Sequence, residues 1–145
     1  RIRYDIGKKF SNEAIDVHLH HAKKHNITLS LLNIVGWHDE TQEEIDFIKE
    51  WLHKHTEYKD NLILQWGGTL GIFPNTWLHN NWDSLELRKV GDGPQEWVND
   101  RVGSTPSLRA QWVKELNQLS KDLGYIVNEQ LDNHFLLETL IKDKN

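Results

Sequence analysis

Between Ile27 and Trp66 the sequence passes from an apolar run to a helix-start signal and back to an apolar run. This order limits the fold more than any other feature of the chain. Ile27 to Val35 reads as a strand. Its adjacent apolar pairs, Leu31-Leu32 and Ile34-Val35, break strict alternation, which predicts burial on both faces, as in a parallel sheet covered by helices. Gly36 to Glu40 is a tight loop. Thr41, with Glu44 three residues later, forms a capping box. The helix it opens runs to about His55, with Ile45, Ile48 and Trp51-Leu52 as its inner face. Asn61 to Trp66 is a second short strand built on Leu62-Ile63-Leu64, and Gly67-Gly68 ends it. Strand, helix and strand in this order predict βα units with adjacent parallel strands. Two strands make a poorly protected sheet, so more strands are expected from somewhere.

The flanks are simpler. Arg1 to Phe10 is polar, the end of a helix or a loop. Ser11 caps a helix over Asn12 to His25, with Ile15, Leu19 and Ala22 as its apolar stripe and Asn26 as its stop. Gly71 to Asn81 reads as a loop with Pro74 at its turn. Asp83 to Val90 reads as a short helix, and Gly91-Asp92-Gly93-Pro94 as a turn. Thr105 as cap, Pro106 at the first helical position and Gly124 as terminator bound the cleanest helix. Its stripe is Leu108, Trp112, Leu116, Leu119 and Leu123. A last amphipathic segment, Asn128 to about Ile141, presents Leu131, Phe135, Leu136 and Leu140.

Composition narrows the class. The 145 residues suffice for one ordinary domain with a real core. Hydrophobic residues make up 37% and charged ones 27%, which is globular rather than disordered. A net charge of -5 argues against a nucleic-acid binder held by phosphate contacts. No apolar run approaches the roughly 18 residues of a membrane span, and Arg1 to Asp5 is no signal peptide. Cysteine is absent, so the chain forms no disulfide, no thiolate metal site and no thiol nucleophile, and cytoplasm is the expected location. Methionine is absent too, which fits processing or a piece of a longer chain.

Several constellations of side chains invite a chemical reading. His18, His21 and His25 fall at i, i+3 and i+7 on the first helix, a spacing that traps zinc when a fourth ligand is at hand. No carboxylate takes that place and Lys23 and Lys24 flank it, so the reading is a solvated helix face. His53 and His55 diverge. There is no G-x-S-x-G elbow, no P-loop and no dinucleotide fingerprint. Gly67-Gly68-Thr69-Leu70-Gly71 follows a strand, yet no helix start comes at once after it. Glu43, Glu44 and Glu50 share their helix with Lys49 and Lys54 as a solvated face. Trp66, Trp77 and Trp82, three of seven tryptophans, gather around the irregular loop and form either packing or a sugar platform. The richest segment is Gly36-Trp37-His38-Asp39-Glu40-Thr41. It leaves the C-terminal end of a buried strand, the edge where open parallel sheets and β/α barrels bind ligands. Gly36 permits close approach to the backbone, and Ile34-Val35 offers a flat apolar wall for a purine ring.

These residues resemble radical S-adenosylmethionine (SAM) enzymes. The family shows a strand ending in an apolar pair, then I-V-G-x-P-x-E-T and an acidic helix. Here the run is Ile34-Val35-Gly36-Trp37-His38-Asp39-Glu40-Thr41-Gln42-Glu43-Glu44. His38 stands where proline is usual, so the loop is less rigid. Upstream, Lys8-Lys9-Phe10-Ser11-Asn12-Glu13 is similar to the family's basic, aromatic and capping sequence. Downstream, Phe73-Pro74-Asn75-Thr76-Trp77-Leu78 is similar to its Pro-x-Thr-x-Leu turn. The resemblance covers roughly Arg1 to Leu78.

The resemblance implies an α/β fold, the C-terminal part of a partial (β/α)6 TIM-like barrel. Two parallel βα units would occupy residues 1–80, and a mainly helical extension residues 81–145. The first four strands would precede Arg1. With them would lie the CxxxCxxC loop for the [4Fe–4S] cluster, the Gly-Gly-Glu that grips the methionine amino group and the ribose-contacting segment. The partner implied is that missing half of the barrel. SAM and the cluster are the parent's implied cofactors. Cobalamin joins them because the tail is similar to extensions found behind cobalamin domains. The residues that carry over are Ile34, Val35 and Gly36 as the adenine wall, backbone near Gln65 and Trp66, and Lys8 at a position that in some members reaches the methionine carboxylate. A chain without cysteine lacks the usual cluster ligands and is expected to be inactive alone, with no catalytic residue or metal ligand of its own. Two other readings stand beside this one. One is a small non-enzymatic α/β module with a Trp-lined ligand loop. The other is an α/β enzyme using His38, Asp39 and Glu40, which lie too close in sequence to converge well on one substrate.

Overall fold

Ser11 opens the first long helix by accepting the Ala14 N–H on its hydroxyl at 3.3 Å, which satisfies one of the amides a helix start leaves bare. In the computed structural model, which describes residues 1–128, a short α1 (Ile2–Asp5) precedes α2 (Asn12–Lys24). Leu19 and Ala22 of α2 point into the core. Asn26, at φ 53°, takes the left-handed turn that leads into β1 (Leu29–Leu32). The capping box at Thr41 and Glu44 forms as expected, with both reciprocal bonds present, and starts α3 (Gln42–Lys54). A 3₁₀ turn, Thr56–Asn61, delivers the chain to β2 (Leu62–Gln65). Beyond a long loop come α4 (Trp77–Asn80), β3 (Leu87–Lys89), β4 (Trp97–Asn99), α5 (Pro106–Asp122) and β5 (Ile126–Val127).

Strands β1 and β2 are adjacent and parallel, Leu29 opposite Leu62 and Leu32 opposite Gln65, as the strand–helix–strand order predicts. A third parallel strand, β5, pairs on the far side of β2, so the sheet order is β1-β2-β5. Helices cover one face. There Val35, Ile45, Leu52, Leu62, Leu64 and Trp66 close with Trp112, Val113, Leu116 and Tyr125 into one core. The core therefore crosses residue 80: the helix and strand that complete it come from the C-terminal segment. Lys49 to Glu115 at 2.7 Å and the Trp112 indole to Gln42 at 2.7 Å tie α3 to α5.

Among the described residues nothing covers the other face, and here the expectation of two-sided burial fails. Strand β1 alternates: Leu29 and Leu31 are half-buried, whereas Ser30 is exposed and Leu32 is 70% exposed. The adjacent apolar pairs arise because Leu32 and Ile34 lie on the uncovered face, not because a second layer covers them.

The segment after residue 80 is mixed rather than mainly helical over its described part. The helix expected at Asp83 to Val90 is replaced by turns and an antiparallel hairpin, with β3 and β4 pairing Leu87 with Asn99. The hairpin buries Leu87 and Trp97 against Trp37, Ile72 and Leu78 in a second apolar cluster. The expected helix from Asn128 to about Ile141 lies outside the described residues, apart from its first residue.

Candidate functional site

The strand exits define the site. Val35 bridges to Thr69, and the Leu70 N–H donates to the Val35 carbonyl at 3.0 Å, so the chain leaving β1 and the chain leaving β2 are tied together. Gly36 then turns at φ +83°, a conformation that favours glycine. The Glu40 carboxylate folds back onto this turn. One oxygen accepts from the Gly36 N–H at 2.6 Å and from the Trp37 N–H at 3.3 Å, while the Glu40 N–H donates to the Trp37 carbonyl at 2.9 Å. Five residues thus close around one carboxylate, which is 1% exposed. Burial pushes the Glu40 carboxyl up to about 7, against the two amide bonds that favour its charged form.

A cover lies over the outside of this loop. The stem of Arg109, from α5, packs on Gly36 so closely that a Cβ there would stand 2.3 Å from Cδ. The guanidinium lies on the Trp97 ring, 3.6 Å from its centroid, and donates to the Ser104 hydroxyl and to the carbonyls of Gln95 and Trp97 at 2.8–3.0 Å. Burial lowers its pKa to about 9. The Asn99 amide donates to the His38 carbonyl at 2.9 Å. His38 is buried as well, and desolvation holds its ring below the ordinary imidazole range despite Asp39 at 3.8 Å. The Trp37 indole N–H, the His38 Nδ1, the Thr69 hydroxyl and the Arg109 Nε are buried at this edge without a hydrogen-bond partner among the described residues.

The residues expected at an adenosine pocket distribute as follows. Ile34 is 43% exposed and lies on the open face. Val35 is fully buried in the core, so its side chain belongs to the helical side. Gly36 is buried beneath Arg109. Gln65 is half-buried at the end of β2 and donates to the Ser30 hydroxyl at 2.8 Å across the open face. Trp66 is in the core, its indole N–H on the Ser120 hydroxyl at 2.9 Å. The backbone at Ile34–Gly36 and at Gln65–Trp66 therefore meets at neighbouring strand ends. Lys8 is exposed between α1 and α2, with no side-chain hydrogen bond or ion pair among the described residues.

Sequence reasoning missed the roles of Arg109 and Asn99. Arg109 had a signal: it falls on the inner stripe of α5 beside Trp112, Val113 and Leu116, where a charge is out of place. Asn99, in a three-residue strand, had none. Glu40 read as the end of a tight loop, whereas its carboxylate clamps the Gly36 turn.

Among the described residues, no group of three or more His, Asp or Glu converges as a metal site, and no helix is long and apolar enough to cross a membrane. The open face offers apolar Leu32 and Ile34 beside the hydroxyl of Ser30 and the amide of Gln65. The chain has no cysteine to ligate a cluster. Comparison with protein-family models, curated proteins and solved structures finds no match.

Proposed function

We propose that this chain forms the adenosine side of a SAM pocket, as the C-terminal portion of a radical SAM enzyme's barrel. One observation carries the reading: a parallel sheet that, among the described residues, is clothed by helices on one face and bare on the other. Leu32, Ile34 and Ile126 are exposed on or beside the bare face, at 70%, 43% and 49%. The free edge of β1 is also flanked by an apolar groove of about 310 Å³, lined by Val17, Ala22, Ile27 and Leu29 with His18 and His21 at its rim. A sheet uncovered on one side and at one edge suits a barrel wall whose neighbouring strands come from a preceding half, the partner in this reading.

In that pocket Ile34 and Leu32 pack on the purine and backbone near Ile34 and Gln65 contacts adenosine, whereas Gly36, buried under the Arg109 stem with its N–H on Glu40, and Trp66, buried in the core, only shape the strand ends. Glu40 acts indirectly, by fixing the Gly36 turn. When the parent holds its [4Fe–4S] cluster, that group supplies the electron for reductive cleavage of SAM. Its ligands, the groups that grip the methionine amino group and any cobalamin domain lie in other parts of the parent, while Lys8 of this chain reaches toward the methionine carboxylate.

The test is calorimetry of the chain with SAM and with adenosine, beside the Ile34→Lys variant. Weak adenosine binding lost in Ile34→Lys supports the pocket. A coding sequence upstream of Arg1 without CxxxCxxC would overturn the family reading. A second reading, a Trp-lined binding module, draws on Trp77 and Phe73, which are 60% and 52% exposed. Trp66 and Trp82 do not join them, since they pack in the two apolar clusters. Sugar binding abolished by Trp77→Ala would favour the module.

A further inference from the structure

The last turn of α2 presents a pair of imidazoles that the adenosine pocket does not use. His21 and His25 are four residues apart. His25 is the C-cap residue, and its backbone N–H donates to the His21 carbonyl at 3.0 Å, so the helical path holds through both. Side chains at that spacing leave one face of a helix, one above the other. The two rings are parallel to within 6°, with centroids 6.2 Å apart. Both residues are exposed, and neither ring nitrogen has a hydrogen-bond partner among the described residues.

The surroundings suit a cation better than the sequence suggests. Lys23, which falls between the two histidines, is drawn away: its ammonium lies 3.0 Å from Glu57 and over the Tyr58 ring. His18, one turn before His21, has its Nδ1 at 2.6 Å from the Ala14 carbonyl. A carbonyl only accepts, so Nδ1 is the donor and is not open to a metal ion. Among the described residues, no third ligand converges with the pair. Metal–imidazole bonds are about 2.0–2.1 Å long, so two exposed rings need only turn toward each other to share an ion between them.

We propose that His21 and His25 form a two-point site for a divalent transition-metal ion, with water completing the shell. Neutral imidazole nitrogens rank such ions in the Irving–Williams order, so Cu²⁺ binds ahead of Ni²⁺ and Zn²⁺. The site uses none of the adenosine-pocket residues, although His21 also lines the groove beside the edge of β1.

The experiment titrates the intact chain with Cu²⁺ at neutral pH by calorimetry and follows the histidine ring C–H resonances. The expected result is paramagnetic broadening of His21 and His25 first, with affinity at least about tenfold lower in His21→Ala and in His25→Ala. His53→Ala, which removes an exposed histidine on α3, binds as the parent chain does. Cu²⁺ also raises the melting temperature of the parent chain and not that of the double variant. Both side chains are exposed, so His21→Gln and His25→Gln serve if alanine disturbs the helix. Equal affinity in parent and double variant, or broadening spread evenly over all exposed histidines, overturns the site.

Discussion

Glu40 is a carboxylate held among backbone amides with no cation at contact distance among the described residues; the charges that act on it are Glu44, which opposes its ionisation, and Arg1, which favours it. Its ordinary value of 4.5 rises to about 7 on burial. The folded state therefore keeps a proton that the unfolded state has already lost. Glu40's contribution is complete below the unfolded value, falls as pH rises, and is gone above about 7. The interval corresponds to about 3 kcal/mol. Urea midpoints measured across it should fall with rising pH in the parent chain, and the fall should be shallower in Glu40→Gln. An equal slope in both chains would place the titration elsewhere. Gly36 makes a second prediction. Alanine at φ +83° carries roughly 1–2 kcal/mol of left-handed strain, and so does alanine at Gly103, φ +68°, which meets nothing within 4 Å. Gly36→Ala must also displace the Arg109 stem, so it should lose at least about 1 kcal/mol more than Gly103→Ala in denaturant unfolding. A matching loss would mean that the stem yields freely.

At the scale of elements, the helices owe their starts to single side chains. The Thr41 hydroxyl accepts from Glu44 N–H at 3.4 Å, and the Thr105 hydroxyl from Leu108 N–H at 3.2 Å. Thr41→Ala and Thr105→Ala should each cost about 1 kcal/mol in chemical denaturation, since each frees one amide at a helix start. These helices were legible in the sequence because caps and 3.6-residue stripes are local signals. The pairing of β1 with β2 was legible from the helix between them. Strands β3, β4 and β5 were not: two or three residues are too few to show a period. Their places are set by partners far along the chain, Trp97 by Trp37 and Ile126 by Ile63. The candidate site divides the same way. Gly36 and the strand-end residues follow from the local pattern, while the Arg109 and Asn99 contacts depend on how the hairpin folds over the loop.

Across the whole molecule, the main core is assembled from both ends of the described chain. Val35, Leu52, Leu64 and Trp66 are buried only because Trp112, Val113, Leu116 and Tyr125 lie over them. Tyr125 fixes the joint by donating its hydroxyl to the Leu52 carbonyl at 2.7 Å. A chain ended at residue 80 should therefore show no cooperative thermal transition by circular dichroism. A sharp transition would mean that the first βα units bury themselves without α5. The same division has a consequence during synthesis. Sixty residues separate Gln65 from Tyr125, and at about 5–20 residues per second a ribosome needs roughly 3–12 s to supply them. Through that interval β1 and β2 wait with their apolar sides uncovered, a nascent chain that offers a holdase its longest opportunity before α5 arrives.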